Sequence, residues 1–542
     1  MRCAAGKSIL NAVAIGKLRL YRRTDTQTAA TAAHAPEGEL DRFHAALEEA
    51  KEQLGALYEK ALEEAGEDAA EIFEIHQMML EDEDYVEAIE DAIGGGNSAV
   101  QAVQAAGASF AETFAQMDDE YMRARAADIE DISRRLTDIL SGVQQGFELG
   151  GEPVILVADD LTPSETIQLD KSKLLGFITR RGSASSHTAI LARTMSLPAL
   201  IGVDFEEDWD GRLAVLDGYS GQVFVDPEPE LLEKMEAKRQ EDLQRLQLLQ
   251  ELKGVPTVTL DGREVKLYAN IGSVADVELA NQNDAGGVGL FRSEFLYLDR
   301  PSLPTEEEQF DIYKQVVQGM KGKKVIIRTL DIGADKQAAC FHLDKEENPA
   351  LGYRAIRICL TQQDVFKTQL RAILRASAFG TVSVMFPMIA SLWELQEAKA
   401  LLAQCREELT AQGVPLGAVE VGVMVETPAA ALIADDLAQE VDFFSLGTND
   451  LTQYTLAADR QNAKLEPFVD THHPAVLRLI RLTVEAGHRH GCWVGICGEL
   501  GADLTLTDTF LRMGVDELSV SPSAVLPVRQ KVRSLDLSQV MA

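Results

Sequence analysis

Residues 180–202 read Arg-Arg-Gly-Ser-Ala-Ser-Ser-His-Thr-Ala-Ile-Leu-Ala-Arg-Thr-Met-Ser-Leu-Pro-Ala-Leu-Ile-Gly. The apolar residues 174–179 before this stretch predict a buried strand, and residues 188–195 within it predict a helix that ends before Pro198. The loop between them places His187 in the first helical turn, where free N–H groups and the helix dipole favour an anion. An imidazole there can attack phosphorus, and the same donors would hold the resulting phosphohistidine. The alternative is a helix capped by serines, in which His187 has no chemical role.

The composition indicates a soluble globular protein of about three or four domains, since the chain has 542 residues, of which 46% are hydrophobic. We expect a cytoplasmic protein, because six cysteines are scattered without a Cys-x-x-Cys pair and the first residues lack the apolar core of a secretory signal. No stretch approaches the roughly twenty apolar residues of a membrane span. The formal charge of −36 argues against nucleic acid or an anionic membrane as a partner.

The first half of the chain predicts an α/β domain with a helical bundle inserted into it. Residues 38–146 have helical spacing of apolar residues, interrupted at Gly94–Asn97, which predicts about four helices. His76 lies on an apolar stripe, so we predict a core or capping residue without a catalytic role. Strands are predicted before and after the bundle, with a turn at Asp217-Gly218. These strands are 12–22, 154–157, 176–179, 199–203, 213–216 and 223–225.

We therefore divide the chain into four parts. Residues 1–35 and 148–226 form the α/β domain that carries His187, and 36–147 form the inserted bundle. A polar helix at 228–253 predicts a linker over 227–256, and the remainder, 257–542, repeats strand, loop and helix.

Eight predicted strands in the last part match the repeat number of a (β/α)₈ barrel of the TIM type. They are Lys266–Asn270, Gly287–Phe291, Lys324–Arg328, Val382–Phe386, Val421–Val425, Phe443–Leu446, Trp493–Ile496 and Glu517–Val520. One helix between them opens with the capping box Thr305-x-x-Glu308. The fold class is thus multidomain α/β, and a doubly wound open sheet is the structural alternative for this part.

Unusual polar residues follow the predicted strands, at the end where barrel enzymes carry their chemistry. Arginine forks suit phosphate or carboxylate, and the pair Glu426 and Asp450 suits Mg²⁺. Cys497 fits either a buried small hydrophobe or a proton donor. The segments concerned are Arg292-Ser293-Glu294, Arg328-Thr329-Leu330-Asp331, Gly352-Tyr353-Arg354, Glu426-Thr427-Pro428, Gly447-Thr448-Asn449-Asp450, Ala458-Asp459-Arg460 and Cys497-Gly498-Glu499.

These motifs, in this order, resemble enzyme I of the bacterial phosphoenolpyruvate-dependent sugar phosphotransferase system over nearly the whole chain. The carriers of the resemblance are Gly182-x-x-x-Ser186-His187-x-Ala189-Ile190-x-Ala192-Arg193, Gly289-Leu290-x-Arg292-x-Glu294-Phe295, Arg328-Thr329-x-Asp331-Ile332-Gly333, Glu347-Asn348-Pro349-x-Leu351-Gly352-x-Arg354, Gly422-x-Met424-x-Glu426-Thr427-Pro428, Phe444-Ser445-x-Gly447-Thr448-Asn449-Asp450-Leu451 and Cys497-Gly498-Glu499.

The resemblance implies a phosphoenolpyruvate-protein phosphotransferase in which His187 takes phosphate from phosphoenolpyruvate and passes it to a histidine of the carrier protein HPr. It further implies Mg²⁺ held by Glu426 and Asp450, and protonation of the pyruvate enolate by Cys497. The implied phosphoenolpyruvate contacts are Arg292, Arg328, Arg354, Asn449, Asp450 and Arg460. Thr166 and Arg193 resemble second contacts to the phosphohistidine. The family is a homodimer joined through its barrels, and HPr docks on the inserted bundle.

The sequence departs from the family at residues 10–16, where Leu-Asn-Ala-Val-Ala-Ile-Gly replaces the usual Ser-Pro-Gly-Ile-Ala, and it ends soon after the eighth barrel strand. We therefore expect the helix after that strand to be missing or reduced. Two other functions compete with the resemblance. A pyruvate-phosphate dikinase or phosphoenolpyruvate synthase would need a nucleotide-binding domain and its Gly-rich loop, which we do not find. A non-enzymatic regulator would not need His187, Glu426, Asp450 and Cys497 together.

Overall fold

The structure, a computed structural model, describes the chain apart from residues 22–35, 66, 117–119, 144–148, 150, 182–188, 190–191, 193–196, 299, 301, 334–337, 461 and 540–542. It contains two compact units, Met1–Leu246 (the first unit) and Gln247–Ala542 (the second unit). The predicted loop and helix around His187 lie almost entirely outside the described residues.

The described part of the first unit contains an eight-stranded mixed sheet of order β1-β8-β7-β3-β4-β5-β6-β2. Neighbours from β3 to β6 are parallel, and the other pairs are antiparallel. The six predicted strands are present, whereas the first two strands were missed because they have only four and two residues. The strands are Arg2–Ala5 (β1), Lys7–Ser8 (β2), Val13–Leu20 (β3), Val154–Ala158 (β4), Leu174–Thr179 (β5), Ala199–Ile201 (β6), Leu213–Asp217 (β7) and Gln222–Val225 (β8).

The predicted turn at Asp217-Gly218 joins β7 to β8, with Asp217 opposite Gln222 in the ladder. The Asp217 carboxylate accepts a hydrogen bond of 3.0 Å from the Tyr219 N–H group. A Cβ atom on Gly218 would overlap the carbonyl oxygen of Leu10, so the close approach of the two backbones requires glycine here.

The inserted bundle has five described helices rather than about four, because one helix ends at Ala65 and the next begins at Glu67 within a continuous apolar pattern. They are Pro36–Ala65 (α1), Glu67–Leu80 (α2), Glu83–Gly94 (α3), Ala99–Ala115 (α4) and Glu120–Ser141 (α5). His76 is fully buried, and its Nε2 lies 3.2 Å from Asp128 Oδ1, which confirms a core position. A short helix, Pro163–Gln168 (α6), packs Ile167 into the bundle core.

The polar helix predicted at 228–253 is Pro229–Gln250 (α7). Its first half is attached to the sheet, because Met235 is buried with Val13 and Val215. Tyr219 adds a polar contact, since its hydroxyl donates a hydrogen bond of 2.9 Å to Asp242.

The second unit is a closed barrel of eight parallel strands, which confirms the predicted fold class and excludes the open sheet. The order around the barrel follows the chain, and the last strand pairs with the first. The strands are Lys266–Ile271 (β9), Gly287–Arg292 (β10), Lys324–Arg328 (β11), Val382–Phe386 (β12), Val419–Val425 (β13), Phe443–Leu446 (β14), Trp493–Ile496 (β15) and Glu517–Val520 (β16).

Helices cover the outside of this barrel. The predicted capping box is present at Thr305, where the side chains and N–H groups of Thr305 and Glu308 are bonded reciprocally. The helices are Ala275–Gln282 (α8), Glu306–Gly319 (α9), Ile356–Thr361 (α10), Gln363–Ala376 (α11), Leu392–Ala411 (α12), Pro428–Leu432 (α13), Ala434–Ala438 (α14), Thr448–Leu456 (α15), Pro474–Arg489 (α16), Thr507–Met513 (α17) and Val525–Arg533 (α18).

A helix of nine residues, α18, follows the last strand, so the helix that was expected to be missing or reduced is not missing. Buried Arg529 on α18 donates to the carbonyl oxygens of Leu252 and Asp284 and to the Thr257 hydroxyl. These bonds fasten the last helix to the segment that enters the barrel.

Candidate active site

The carboxyl ends of the barrel strands bring the predicted polar residues together, because parallel strands end at one mouth. Arg292 and Arg328 are the last residues of β10 and β11, Glu426 and Cys497 directly follow β13 and β15, and Asp450 lies in the first turn of α15. All five line one cavity of about 430 Å³, together with Asn449 and Arg460.

The floor of this cavity is a buried ionic network. Arg328 Nη2 lies 2.5 Å from Glu294 Oε1, and Arg328 Nη1 lies 3.0 Å from Asp331 Oδ2. The other oxygen of Asp331 accepts a bond of 2.8 Å from Arg354, which lines an adjoining cavity of about 320 Å³ rather than this one. Burial lowers the pKa of both guanidinium groups, but the adjacent carboxylates more than offset it, so the net shift is upward. Both arginines therefore remain charged and held in fixed orientations.

The pair Glu426 and Asp450 is buried beside this network, with exposed fractions of 1% and 7%. Burial raises the pKa of Glu426 well above its ordinary value, and the neighbouring charges of Asp450 and Asp331 raise it further. The Met388 N–H group, presented by a backbone with φ of +57°, donates a bond of 2.6 Å to Glu426 Oε1. The pair thus has a fixed geometry in which negative charge on both groups is unfavourable without a cation.

This carboxylate pair fits a divalent cation, which would relieve the repulsion between the two groups. Asp450 Oδ1 is buried without a hydrogen-bond partner among the described residues, so an oxygen remains available as a ligand. No group of three or more His, Cys, Asp or Glu side chains suited to a metal occurs in the described part of the chain. A cation held here would therefore take its remaining ligands from substrate or water, as Mg²⁺ commonly does.

More exposed groups lie around the cavity rim. Arg292 is exposed, and Arg460 Nη2 approaches Asp450 Oδ1 at 3.8 Å. Asn449 Oδ1 accepts a bond of 3.0 Å from the Glu499 N–H group, which orients its amide. Arg292 and Arg460 can therefore adjust to a ligand, whereas the floor arginines cannot.

Cys497 is buried, and its Sγ donates to the Leu446 carbonyl oxygen at 3.6 Å. Burial raises the pKa of this thiol to about 12. The group is therefore a thiol at neutral pH, which is the state that a proton donor requires.

The sequence analysis included Glu294 and Asp331 in its motifs without giving them a role, and it did not identify Tyr454. The Tyr454 hydroxyl accepts a bond of 3.3 Å from Arg354 Nη1. Its position on α15, four residues after Asp450, is the signal that could have identified it.

The remaining predicted site residues belong to the first unit. Thr166 is buried on α6, and its hydroxyl donates to the Pro163 carbonyl oxygen at 2.8 Å. His187 and Arg193 lie outside the described residues.

The fold and the site define a parallel barrel protein in which arginines and a buried carboxylate pair share one cavity at the strand ends. Three family models match the chain, described as the N-terminal domain of PEP-utilising enzymes over residues 5–125, their mobile domain over 150–221 and their PEP-binding domain over 247–537.

Curated relatives match nearly end to end, and each is named phosphoenolpyruvate-protein phosphotransferase. The protein of Bacillus sp. (strain S) is 45% identical over 98% of this chain and 93% of its own length. Those of Bacillus subtilis (strain 168) and Staphylococcus carnosus (strain TM300) are 45% and 42% identical over 92% and 99% of this chain, and 88% and 94% of their own lengths. An NMR structure titled Enzyme I (nEIt) is 33% identical over 44% of this chain and 98% of its own, with a TM-score of 0.38.

The chain belongs to the phosphoenolpyruvate-protein phosphotransferases, within the PEP-utilising enzymes. The resemblance inferred from the motifs is thereby confirmed, and the chain is a transferase. In the described residues, no helix is both long and apolar enough to span a membrane.

Proposed function

We propose that this chain transfers the phosphoryl group of phosphoenolpyruvate to His187 and then to a histidine of HPr, with release of pyruvate, as the first step of sugar phosphotransfer. The observation that supports this proposal is the buried network of Arg328, Asp331 and Arg354 beside the Glu426–Asp450 pair. Such a cluster is costly to bury and is explained by an anionic substrate and a cation.

The test is incubation with labelled phosphoenolpyruvate and Mg²⁺ without nucleotide, and failure to form acid-labile protein phosphate would contradict the proposal.

The proposed anchors divide into a rigid floor and an adjustable rim. Arg328 supplies the floor and Arg354 lines the adjoining cavity, and the Nε atom of each is buried without a hydrogen-bond partner among the described residues. Each guanidinium therefore retains a donor for an oxygen of phosphoenolpyruvate. Arg292, Asn449 and Arg460 would close on the substrate from the rim.

We propose that Glu426 and Asp450 hold Mg²⁺. When bound, Mg²⁺ supplies positive charge that stabilises the charge developing on the phosphoryl and enolate oxygens. The chain's own part is to hold both carboxylates in place, Glu426 through the Met388 N–H group and Asp450 through its position in the first turn of α15.

Replacing Glu426 with glutamine should weaken Mg²⁺ binding by roughly tenfold or more. Glutamine keeps the shape and can still accept the Met388 N–H bond, but it removes one charge from the ligand pair. Because the folded site raises the pKa of Glu426, its charge is unfavourable to folding above the ordinary carboxyl pKa, so the metal-free variant should melt no lower than wild type. Calorimetric titration of Mg²⁺ in the presence of phosphoenolpyruvate measures the change.

The matched control is Glu499→Gln, which alters an exposed carboxylate of the same cavity. It should bind Mg²⁺ like wild type. Equal Mg²⁺ affinity for Glu426→Gln and wild type would contradict the assignment.

The phosphoryl group has two acceptors in turn, His187 and the histidine of HPr, and each acceptor requires its own binding contacts. We propose that Thr166 and Arg193 contact the phosphate on His187, that the bundle over 36–147 binds HPr, and that the linker over 227–256 allows His187 to reach substrate and carrier in turn. We also propose a cytoplasmic homodimer joined through the barrels. The six cysteines, all among the described residues, form no disulfide bond, which supports a reducing compartment such as the cytoplasm.

Replacing residues 38–146 with a short Gly/Ser linker should leave self-phosphorylation by phosphoenolpyruvate but abolish rapid transfer to HPr. The ends of the bundle are adjacent, since Arg42 Nη2 donates to the Leu140 carbonyl oxygen at 3.0 Å, so a short linker can join them. Ile167 should be changed to serine in the same protein, because removal of the bundle exposes it. Label transfer to HPr, followed by rapid quench, measures the effect.

The control for this trimmed protein is the full chain with Ile167→Ser alone. Both must melt cooperatively. Phosphorylation of HPr at the wild-type rate by the folded trimmed protein would exclude the bundle as the docking site.

A further inference from the structure

Glu517 is a buried carboxyl group inside the barrel that the proposed reaction does not use. It is fully buried on β16, and neither of its carboxyl oxygens has a hydrogen-bond partner among the described residues. Two glycines make room for it, since a Cβ atom on Gly289 would overlap Oε1 and one on Gly495 would overlap Oε2. Burial of an unpartnered carboxylate is costly, so the group has a reason other than packing to be there.

Glu517 begins β16, so charged groups at the amino-terminal end of the barrel surround it. Burial raises the pKa of Glu517 to about 8, Lys266 and Lys324 partly offset this, and Asp516 adds to it. Lys266 begins β9 and is exposed, and Lys324 begins β11 and lies 2.6 Å from Glu420. The titratable and charged neighbours of this region are Lys266, Tyr268, Lys324, Glu420, Cys497 and Asp516.

A second unpartnered polar group connects Glu517 with Cys497. Ser445 is fully buried and pairs with Gly495 in the barrel sheet. Its Oγ makes no hydrogen bond of good geometry among the described residues, but it is close enough to Cys497 to lower the pKa of the thiol. Cys497 follows Gly495 by two residues on the same face of the chain, roughly 6–7 Å further along. The Glu517 oxygens, the Ser445 hydroxyl and the Cys497 thiol thus follow one another along the barrel interior, among apolar side chains such as Met424 and Phe443, and we call these three groups the buried polar column. Unpartnered buried oxygens of this kind are where internal water binds.

We propose that Glu517 returns a proton to Cys497 after each turnover, through the Ser445 hydroxyl and internal water, from the amino-terminal end of the barrel. The proposal rests on the proposed function, in which the Cys497 S–H bond breaks as a C–H bond forms on the methylene carbon of enolpyruvate. The resulting thiolate regains a proton as the Glu517 O–H bond breaks. The Glu517 carboxylate is reprotonated by solvent water, so each pyruvate formed takes up one proton.

The direction of transfer follows from the environments of the two groups. Cys497, whose pKa is about 12, becomes a strong base once it has given up its proton. Glu517, whose pKa is about 8, is mostly protonated at neutral pH and is the stronger acid of the two. The substrate cavity lies on the opposite side of Cys497, so this route does not require an empty cavity.

The test is Glu517→Gln in the full chain, followed by rapid-quench measurement of pyruvate and of phosphate on His187 with excess phosphoenolpyruvate, Mg²⁺ and HPr. Cys497 starts protonated, so the first turnover should give pyruvate and phosphohistidine at wild-type rates. Later turnovers need reprotonation and should slow by roughly tenfold or more. The wild-type steady-state rate should fall above about pH 8, as Glu517 loses its proton, and the variant should lack this dependence.

A second variant, Ser445→Ala, interrupts the same column and removes a buried unpartnered hydroxyl, so it should fold at least as well as wild type. It should show the same fast first turnover and slow steady state. The matched control is Glu420→Gln, a more exposed carboxylate of the barrel interior, which should leave both phases unchanged.

A wild-type steady state in folded Glu517→Gln would overturn the proposal, and if that variant does not fold, a wild-type steady state in Ser445→Ala would do so. A slow first turnover in either variant would also overturn it, because it would indicate a structural role. Absence of phosphohistidine in the wild-type protein would instead contradict the proposed function itself.

Discussion

Replacing His187 with alanine is expected to abolish phosphoryl transfer completely while leaving the binding of phosphoenolpyruvate intact. His187 belongs to the first unit, whereas the proposed anchors Arg328 and Arg354 and the pair Glu426 and Asp450 belong to the second. The described ion pairs of the ionic floor join residues of the second unit, so we expect the floor to form without the histidine. Loss of the nucleophile therefore removes the acceptor but not the binding site.

Two measurements separate these effects. Acid-labile label on the protein reports transfer, and calorimetry with phosphoenolpyruvate and Mg²⁺ reports binding. The matched control is His44→Ala, which removes an exposed first-unit histidine paired with Glu90 at 2.7 Å and should keep full labelling. Retention of label by His187→Ala would exclude this residue as the acceptor, and loss of substrate binding would contradict the division of roles between the units.

Replacing Cys497 with alanine is expected to separate the two halves of the reaction. Phosphoryl transfer needs the histidine, the arginines and the cation, but pyruvate formation also needs a proton on carbon. Because burial raises the pKa of Cys497 to about 12, the thiol is protonated across the neutral range and its own titration does not limit the rate. Loss of a general acid costs roughly 10²–10⁴-fold, so pyruvate turnover should fall by that factor. Exchange of phosphate between phosphorylated HPr and His187 should continue.

The matched control is Cys492→Ala. Cys492 is also a buried thiol next to β15, but its Sγ bonds the carbonyl oxygens of Ala438 and Val441 away from the cavity. This variant should keep both half-reactions. Unchanged pyruvate release in Cys497→Ala would make Cys497 a packing residue.

The sequence by itself determined the barrel. Each of its strands is a short apolar run followed by a polar loop, and this pattern is local, so the predicted and observed bounds agree at Lys324–Arg328, Val382–Phe386 and Phe443–Leu446. The same pattern identified the candidate anchors, because catalytic residues of such barrels follow the strands directly. The motifs around these positions were also sufficient to identify the family.

Some features required the tertiary structure, because they depend on contacts between residues far apart in the chain. The edge strands β1 and β2 are set by their partners, since Arg2–Ala5 pairs with residues 222–225 and Lys7–Ser8 with residues 200–201. The boundary between α1 and α2 could not be predicted from the sequence, because the helical spacing of apolar residues continues across it.

The charged groups inside the barrel show most clearly what only the tertiary structure decides. Asp331 bridges Arg328 and Arg354, and Glu517 lies unpartnered beside Gly495, although none of these relations is encoded in local spacing. A strand pattern predicts which residues point inward, but closure of the barrel decides which of them meet. Burial and neighbouring charge then set the protonation of Glu426, Cys497 and Glu517, because both depend on the folded surroundings rather than on residue type.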